Sequence, residues 1–173
     1  MDEAFKIARE EFPGKQLLYN DYNETTPDKL QKINGVILDM KNRGIPIDAI
    51  GMQCHLNPVY PSMDDFKRGL DTYAESGLHI HITELDVSMF EYMDRSHIEK
   101  PTNEMIKKQT EIYRQIFSFF REYREVIDVV TLWGAADDMT WLDHFPEPNR
   151  KNWPLLFDEN YQPKPAFEAI MDF

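Results

Sequence analysis

The sequence is poor in several features, and each shortage argues against a class of protein. Its 173 residues include one cysteine, Cys54, which excludes an internal disulfide framework. It has no run of about eighteen apolar residues, so no segment is expected to span a membrane. Basic residues are outnumbered 19 to 31, and the net charge of -12 disfavours nucleic acid and anionic membranes as partners. The N-terminus lacks the basic and apolar regions of a signal peptide.

What the sequence does contain is typical of an α/β domain. Hydrophobic residues make up 42% of the chain, enough for one domain with a core. After a leading helix, short apolar strands alternate with longer helices, which predicts parallel βα units. No glycine-rich phosphate fingerprint follows any strand, so nucleotide binding is disfavoured. A complete eight-stranded barrel takes about 250 residues, which leaves a small open sheet or half of such a barrel.

Polar and aromatic residues lie at or just beyond the carboxyl end of each predicted strand. The predicted strands are 15–23, 49–55, 78–87 and 126–133, and the predicted helices are 5–12, 26–44, 64–75, 101–123 and 163–173. The residues at or just beyond the strand ends are Asn20, Asp21, Tyr22 and Asn23; Gln53 and His55; Glu84 and Asp86; and Trp133, Asp137, Asp138 and Trp141. In parallel βα folds the functional site is built at this end of the strands. The repeated pattern predicts a site there.

Two carboxylates define the strand 78–87. Glu84 and Asp86 are two residues apart and therefore share a face of the strand, where they would repel each other if buried without partners. An exposed edge strand with solvated acids is the alternative. His55 ends the neighbouring strand, so we expect an imidazole–carboxylate hydrogen bond to Asp86. That pairing would leave Glu84 as the free carboxylate.

The remaining candidate residues favour a sugar ligand over a metal ion. His79 and His81 share a face at the start of their strand, away from its polar end, so we expect solvent exposure or packing for both. Cys54 alternates away from the polar side of its strand and is interpreted as a packing residue. Trp133 and Trp141 lie among hydrogen-bonding side chains, a combination that suits the apolar faces and the hydroxyls of pyranose rings.

Several strand-end segments, taken together and in order, resemble glycoside hydrolase family 10, the endo-β-1,4-xylanases. They are Tyr19-Asn20-Asp21-Tyr22-Asn23, Ile50-Gly51-Met52-Gln53-Cys54-His55, Ile82-Thr83-Glu84-Leu85-Asp86-Val87, Thr131-Leu132-Trp133-Gly134, Trp153-Pro154-Leu155-Leu156-Phe157-Asp158 and Lys164-Pro165-Ala166-Phe167. The resemblance covers essentially the whole chain. It implies that residues 1–173 form the C-terminal half, strands five to eight, of a (β/α)8 catalytic barrel.

The resemblance also implies a function and its residues. Glu84 matches the nucleophile of a retaining enzyme that hydrolyses internal β-1,4-xylosidic bonds of xylan, and His55 and Asp86 match the pair hydrogen-bonded around it. The positions that match sugar contacts are Tyr22, Gln53, Trp133 and Trp141. A retaining enzyme needs a carboxylate beneath the anomeric carbon and a second one to protonate the leaving oxygen. The resemblance implies no cofactor or metal, and a secreted, periplasmic or cell-surface location.

The chain departs from the family in lacking the acid/base glutamate. That residue lies in a Trp-x-x-x-Asn-Glu type segment on the fourth barrel strand, whereas Asn23-Glu24 and Asn103-Glu104 end no suitable strand here. Asp86 is a poor substitute, because side chains two apart on a strand are roughly 7 Å apart and lie on the same side. Retaining chemistry needs about 5–5.5 Å across the scissile bond. We therefore expect no hydrolysis by this chain alone.

Half a barrel would expose unpaired strand edges and an open inner face. A separate N-terminal half-barrel chain is the favoured partner, and pairing of two copies or a rearranged fragment are the alternatives. Two other functions stay open from the sequence: a non-catalytic xylan-binding remnant and a related barrel β-glucanase.

Overall fold

The computed structural model describes residues 1–171 and has an α/β architecture. Its elements are α1 (Asp2–Glu11), β1 (Leu18–Asp21), α2 (Pro27–Asn42), β2 (Ala49–Met52), β3 (His55–Leu56), α3 (Met63–Glu75), β4 (His79–Val87), α4 (Asn103–Glu122), β5 (Ile127–Leu132) and α5 (Pro165–Met171), with a 3-10 helix at Trp141–Asp143. The chain divides into two compact units. The first comprises Met1–Cys54, Asp64–Thr83 and Tyr123–Val130, and the second comprises His55–Met63, Glu84–Glu122 and the residues from Thr131 onward.

The helices form where the sequence predicts them, and their ends have local causes. Pro27 occupies the first turn of α2, where its missing N–H costs no hydrogen bond. Gly44, at φ 69°, follows the end of that helix in the left-handed region that glycine tolerates best. The predicted last helix, 163–173, is observed as Pro165–Met171; residues 172 and 173 of that prediction lie outside the described residues.

The prediction of one continuous strand over 49–55 is wrong. β2 ends at Met52, and His55 belongs to the separate two-residue strand β3. Cys54 lies between them with φ 60°, a left-handed conformation that interrupts an extended chain. The Glu24 carboxylate holds this break in place, because its Oε1 accepts hydrogen bonds from the Cys54 N–H at 3.2 Å and from the thiol at 3.4 Å.

The first unit is a parallel sheet covered by two helices. β1 pairs with β2, and β2 pairs with the start of β4, all in parallel register. The buried side chains of this unit come from α2 and α3 on one side and from β2 and β4 on the other. They include Leu30, Ile33, Ile37 and Met40; Phe66, Leu70 and Tyr73; and Ile50, Met52, Ile80 and Ile82. β2 is buried along its whole length, which is typical of the inner strands of parallel sheets, whereas β4 alternates buried and more exposed residues in this unit.

The second unit is built around α4 and the end of β4. β3 pairs in parallel with β4, and α4 packs extensively against α5. Gln109 on α4 is buried and donates hydrogen bonds to the carbonyls of Val87 at 2.8 Å and Trp153 at 2.7 Å. Tyr113 on the same helix donates to the Pro154 carbonyl. No helix in residues 1–171, α4 included, has the length and apolar character needed to cross a bilayer.

Candidate active site

The end of β4 and the strand β3 place an imidazole beside a buried carboxylate. His55 and Asp86 are direct partners in the parallel β3–β4 register, and His55 Nδ1 lies 3.1 Å from Asp86 Oδ1. Asp86 is 1% exposed, so the alternative of an exposed strand with solvated acids is wrong. The predicted hydrogen bond between these two side chains is confirmed. Since the carboxylate accepts, the Nδ1–H of His55 is the donor and Nε2 faces the other way.

Nε2 of His55 faces Glu84. It lies 3.4 Å from Glu84 Oε2, and the Glu84 side chain is 17% exposed. The prediction that Glu84 would be a free carboxylate is therefore wrong, because His55 contacts both acids through its two ring nitrogens. One imidazole between two carboxylates reduces their mutual repulsion when it is protonated. This is how the chain keeps two acids on one strand end.

Trp141 completes the environment of Asp86. Its indole Nε1–H donates to Asp86 Oδ2 at 2.7 Å, and its ring centroid lies 5.0 Å from that of His55. Both oxygens of Asp86 are therefore engaged, one by His55 and one by Trp141. The sequence predicts only a sugar contact for Trp141. The observed bond shows that its indole also fixes the carboxylate that orients His55.

The imidazole of His55 has a raised pKa. Burial acts to lower it, but the hydrogen bond to Asp86 and the negative charges of Asp86 and Glu84 outweigh burial, so the net shift is upward from about 6.5. A raised folded-state pKa means that the charged imidazole stabilises the fold fully below about pH 6.5, the unfolded value. That stabilisation is lost as the pH rises through the higher folded-state pKa.

A pH titration of His55 by NMR should therefore give a midpoint above about 6.5. Asp86→Asn should move the midpoint down, because it removes the charge that the imidazole contacts most closely. Asp138→Asn, which changes an exposed carboxylate of the same unit bonded to Tyr161, is the matched control and should leave the midpoint in place. A midpoint at or below the ordinary value in the unmodified chain would contradict this description of the site.

Trp133 lies at the end of β5 in the same unit and is 46% exposed. Its backbone N–H donates to the Leu85 carbonyl at 3.0 Å, which ties it to the strand that carries Glu84. Gly134 follows with φ 150°, and a Cβ at that position would meet a Leu155 methyl at 2.6 Å. Only glycine fits this turn, which presents the Trp133 side chain to solvent.

Two of the predicted sugar-contacting residues, Tyr22 and Gln53, belong to the first unit. Tyr22 is exposed, and the Lys29 ammonium lies 3.7 Å from the centroid of its ring. Lys29 also pairs with Asp21 at 2.7 Å, so this cation is fixed. The backbone N–H of Gln53 donates to the Asp21 carbonyl at 3.1 Å. The structure brings Glu84, His55, Asp86 and Trp141 into direct contact in the second unit.

Asp137, one of the polar residues after the last predicted strand, has a structural role. It is fully buried; its Oδ1 accepts from the Leu155 N–H at 2.8 Å and its Oδ2 pairs with Lys164 at 2.8 Å. Burial raises the pKa of Asp137 and lowers that of Lys164, so for both groups desolvation outweighs their attraction. A buried pair of this kind adds little to the free energy of unfolding, but it fixes the position of the loop after β5.

Three acidic residues besides Glu84 bear on proton donation, and each has its own surroundings. Glu24 is 3% exposed and binds Cys54 in the first unit. Glu104 lies in the first turn of α4. Asp86 has both oxygens engaged by His55 and Trp141.

His79 and His81 lie on one face of β4, as predicted, and both approach Asp128. His79 is exposed and its Nδ1 lies 2.8 Å from Asp128 Oδ1, while His81 Nε2 lies 3.5 Å from Asp128 Oδ2. Gln16 also donates to this carboxylate at 2.7 Å, and these contacts lower the pKa of Asp128. Within residues 1–171, no group of three or more His, Cys, Asp and Glu side chains has an arrangement that could hold a metal ion.

Comparison with known proteins matches residues 1–173 to Glycosyl hydrolase family 10. An endo-1,4-beta-xylanase from Geobacillus stearothermophilus is 51% identical over 173 residues, which are 99% of this chain and 52% of that protein. The solved GH10 xylanase from Thermobacillus composti is 49% identical with a TM-score of 0.96, over 98% of this chain and 56% of that chain. A mutant protein solved in complex with xylotriose is 47% identical with a TM-score of 0.97, over 99% and 53% of the two chains.

The chain thus spans about half the length of the relatives that it matches. At these identities and TM-scores, the likeness confirms the predicted fold class, parallel βα units that form half of a (β/α)8 barrel.

Proposed function

Because the chain belongs to glycosyl hydrolase family 10, we propose that it carries the nucleophile half of a retaining endo-1,4-β-xylanase site. Glu84 is the proposed nucleophile, and one observation carries the proposal: its carboxylate lies 3.4 Å from the Nε2 of an imidazole whose Nδ1 is fixed by a buried aspartate. The imidazole held at that distance orients the Glu84 carboxylate. A charged carboxylate of fixed direction is what attack on an anomeric carbon requires.

The remaining residues take roles that follow from their contacts. His55 holds Glu84 in position. Asp86 holds the tautomer and the ring plane of His55, and Trp141 holds Asp86 while offering the rest of its indole to a sugar ring. Trp133 offers a second exposed aromatic face. We also include Tyr22 and Gln53 as sugar contacts, by their match to the family's positions.

The proposed substrate is xylan or a xylo-oligosaccharide. The named activities of the relatives and the xylotriose held by one of them support this choice. The exposed aromatic rings beside the two acids fit a neutral sugar polymer, and the net charge of -12 disfavours a polyanion. Since xylan is a large polymer, we propose a secreted or cell-surface location for the whole enzyme.

This chain supplies only one of the two carboxyl groups that the proposed mechanism requires. Glu84 can attack the anomeric carbon to form a glycosyl-enzyme, but the leaving oxygen must receive a proton from a second carboxylic acid. Glu24, Glu104 and Asp86 are poorly placed for that transfer. We propose that the acid is supplied by the N-terminal half of the family domain, so that residues 1–173 are the C-terminal half of one catalytic barrel.

Exposed elements support such a partner. No residue of α1, β1 or β5 is buried, although all three carry apolar side chains. Ile7 on α1, Phe12 just after its end and Val129 on β5 are exposed, and β1 is the edge strand of the sheet in the first unit. Exposed edges and apolar helix faces are typical of surfaces that another segment covers.

The test is hydrolysis by a completed barrel, made by fusing this chain to the N-terminal half of the Geobacillus stearothermophilus xylanase. Release of xylo-oligosaccharides from xylan, with carboxymethylcellulose degraded slowly or not at all, is the result expected. Preference for carboxymethylcellulose would instead identify a β-glucanase. Binding of xylan without hydrolysis by a folded fusion would identify a binding remnant, and either outcome would reject the proposal.

A further inference from the structure

An aromatic series runs outward from His55 in the second unit. The Trp141 ring lies 5.0 Å from the His55 ring, and Phe145 stacks on Trp141 at 5.5 Å with an interplanar angle of 18°. Tyr92 then meets Phe145 edge-on at 6.2 Å. Here Phe145 and Tyr92 are called the outer platform. Neither residue is among those that the sequence predicts for the site.

The rings become more exposed with distance from the acids. Trp141 is 36% exposed, Phe145 48% and Tyr92 56%. Exposing two neighbouring aromatic rings to water is unfavourable in an isolated surface, and contiguous apolar patches of this kind mark binding sites. Stacking on Trp141 leaves much of Phe145 open to solvent. The outer platform is thus an exposed apolar surface that is continuous with the proposed sugar site.

A salt bridge fixes the relative position of the two platform residues. Arg95 donates to the backbone carbonyl of Tyr92 at 2.7 Å, and its Nε lies 3.3 Å from Glu147 Oε2. Glu147 is two residues after Phe145 in the chain. The segments that carry Tyr92 and Phe145 are therefore linked through one cation and one carboxylate, which limits their motion before any ligand binds.

Arg150 strengthens the same link from beneath. It is 1% exposed, although it carries a guanidinium, and its charge lies 4.0 Å from the centroid of the Phe90 ring. It also donates to the Asp94 carbonyl, which belongs to the Tyr92 segment. Burying a cation is costly unless it is paired in this way. Its position indicates that the two segments form one preorganised surface.

We propose that the outer platform stacks against sugar rings of xylan beyond those that contact Trp141, so that it extends the ligand-binding surface of this site. The inference rests on the proposed function. Flat aromatic faces suit the C–H faces of sugar rings, and the Arg95 and Glu147 side chains of the two segments pair with each other. The platform therefore suits a neutral sugar chain and binds longer oligosaccharides in preference to short ones.

The test compares the binding of xylobiose and xylohexaose to the full chain by calorimetry. The unmodified chain should bind xylohexaose more tightly. Phe145→Ala and Tyr92→Ala should each weaken xylohexaose roughly three- to tenfold, the range of one aromatic contact, and leave xylobiose unchanged. Phe145→Leu keeps apolar bulk against Trp141 but removes the flat face, so it should behave like Phe145→Ala. Met93→Ala, which removes a non-aromatic side chain that is 75% exposed in the same segment, should change neither ligand.

The possible failures are distinguishable. In one outcome, the platform variants keep the same ratio of xylohexaose affinity to xylobiose affinity as the unmodified chain; in another, Phe145→Leu keeps it where Phe145→Ala loses it. Either result would show that the outer platform is not a stacking surface and would leave the proposed function untouched. Equal weakening of both ligands would place Phe145 in the support of Trp141 and overturn the extension. If the folded, unmodified chain binds neither oligosaccharide, the proposed sugar site itself fails, and the platform fails with it.

Discussion

Glu84→Ala, made in the barrel completed with an N-terminal half, should abolish xylan hydrolysis, with kcat/KM lower by on the order of 10⁴-fold or more. The substitution removes the only group that can form the glycosyl-enzyme in the proposed mechanism. Xylan binding should persist, because the aromatic faces of Trp141 and Trp133 are unchanged. Loss of rate without loss of binding separates a nucleophile from a sugar-contacting residue.

The matched control is Glu104→Gln, which changes a glutamate of α4 outside the proposed site and should keep the parent rate. A stronger diagnostic uses azide with the Glu84→Ala variant and an activated aryl xyloside, whose leaving group needs no proton. Azide should enter the vacated space beneath the sugar and give a glycosyl azide of inverted configuration. Full hydrolytic activity in Glu84→Ala, or azide rescue with retained configuration, would remove Glu84 from the nucleophile role.

The second large effect concerns the chain by itself. Residues 1–173 alone should give no reducing sugar from xylan above the uncatalysed rate, since the proton donor is missing from the proposed site. Addition of a separately produced N-terminal half should restore turnover, and the two chains should co-elute as one complex. The half must carry its own acid/base glutamate, so the same half with that residue changed to glutamine is the control.

Turnover by the isolated chain, comparable to that of a whole enzyme, would contradict the proposal that the acid comes from another segment. Two copies of the chain could also pair through their exposed edges. In that case the isolated chain would migrate as a dimer and would stay inactive, because a second copy brings the same residues and no new acid. Mass measured by light scattering, with and without the N-terminal half, distinguishes these states.

Several features could be predicted from the sequence because they depend on local pattern. Apolar alternation placed β4, and helical periodicity placed the faces of α2, α3 and α4. The contact between His55 and Asp86 could also be predicted, although the residues are 31 positions apart, because neighbouring parallel strands bring their ends to one edge of a sheet. The contact is predictable from the order of the strands in the sheet, not from the chemistry of the two residues.

Other features depend on contacts that hydrophobic pattern does not encode. The break at Cys54 results from one residue with positive φ held by Glu24, and an apolar run gives no sign of it. The contact of Glu84 with His55 depends on the imidazole reaching both acids at once. The polar segment around Asp137 predicts a role in the site. Its side chain instead pairs with Lys164, 27 residues further along the sequence, and has a structural role.

The aromatic residues illustrate the same limit. Trp141 could be singled out by its residue type and its polar neighbours, but its bond to Asp86 spans 55 residues. Phe145 and Tyr92 lie in segments whose sequence pattern is typical of ordinary loops. The pair formed by Arg95 and Glu147 is one of several contacts that link those loops, and one charged pair among the many in this sequence carries no distinguishing signal.

The most direct test of the central claim is to trap the covalent intermediate. A 2-deoxy-2-fluoro xylobioside with an activated leaving group forms the glycosyl-enzyme without needing the proton donor and then hydrolyses slowly. Intact mass of the completed barrel should rise by one fluoroxylobiosyl group, and peptide mapping should place it on Glu84, with no label in Glu84→Ala. A label on any other residue, or stoichiometric inactivation that leaves Glu84 unmodified, would contradict the assignment.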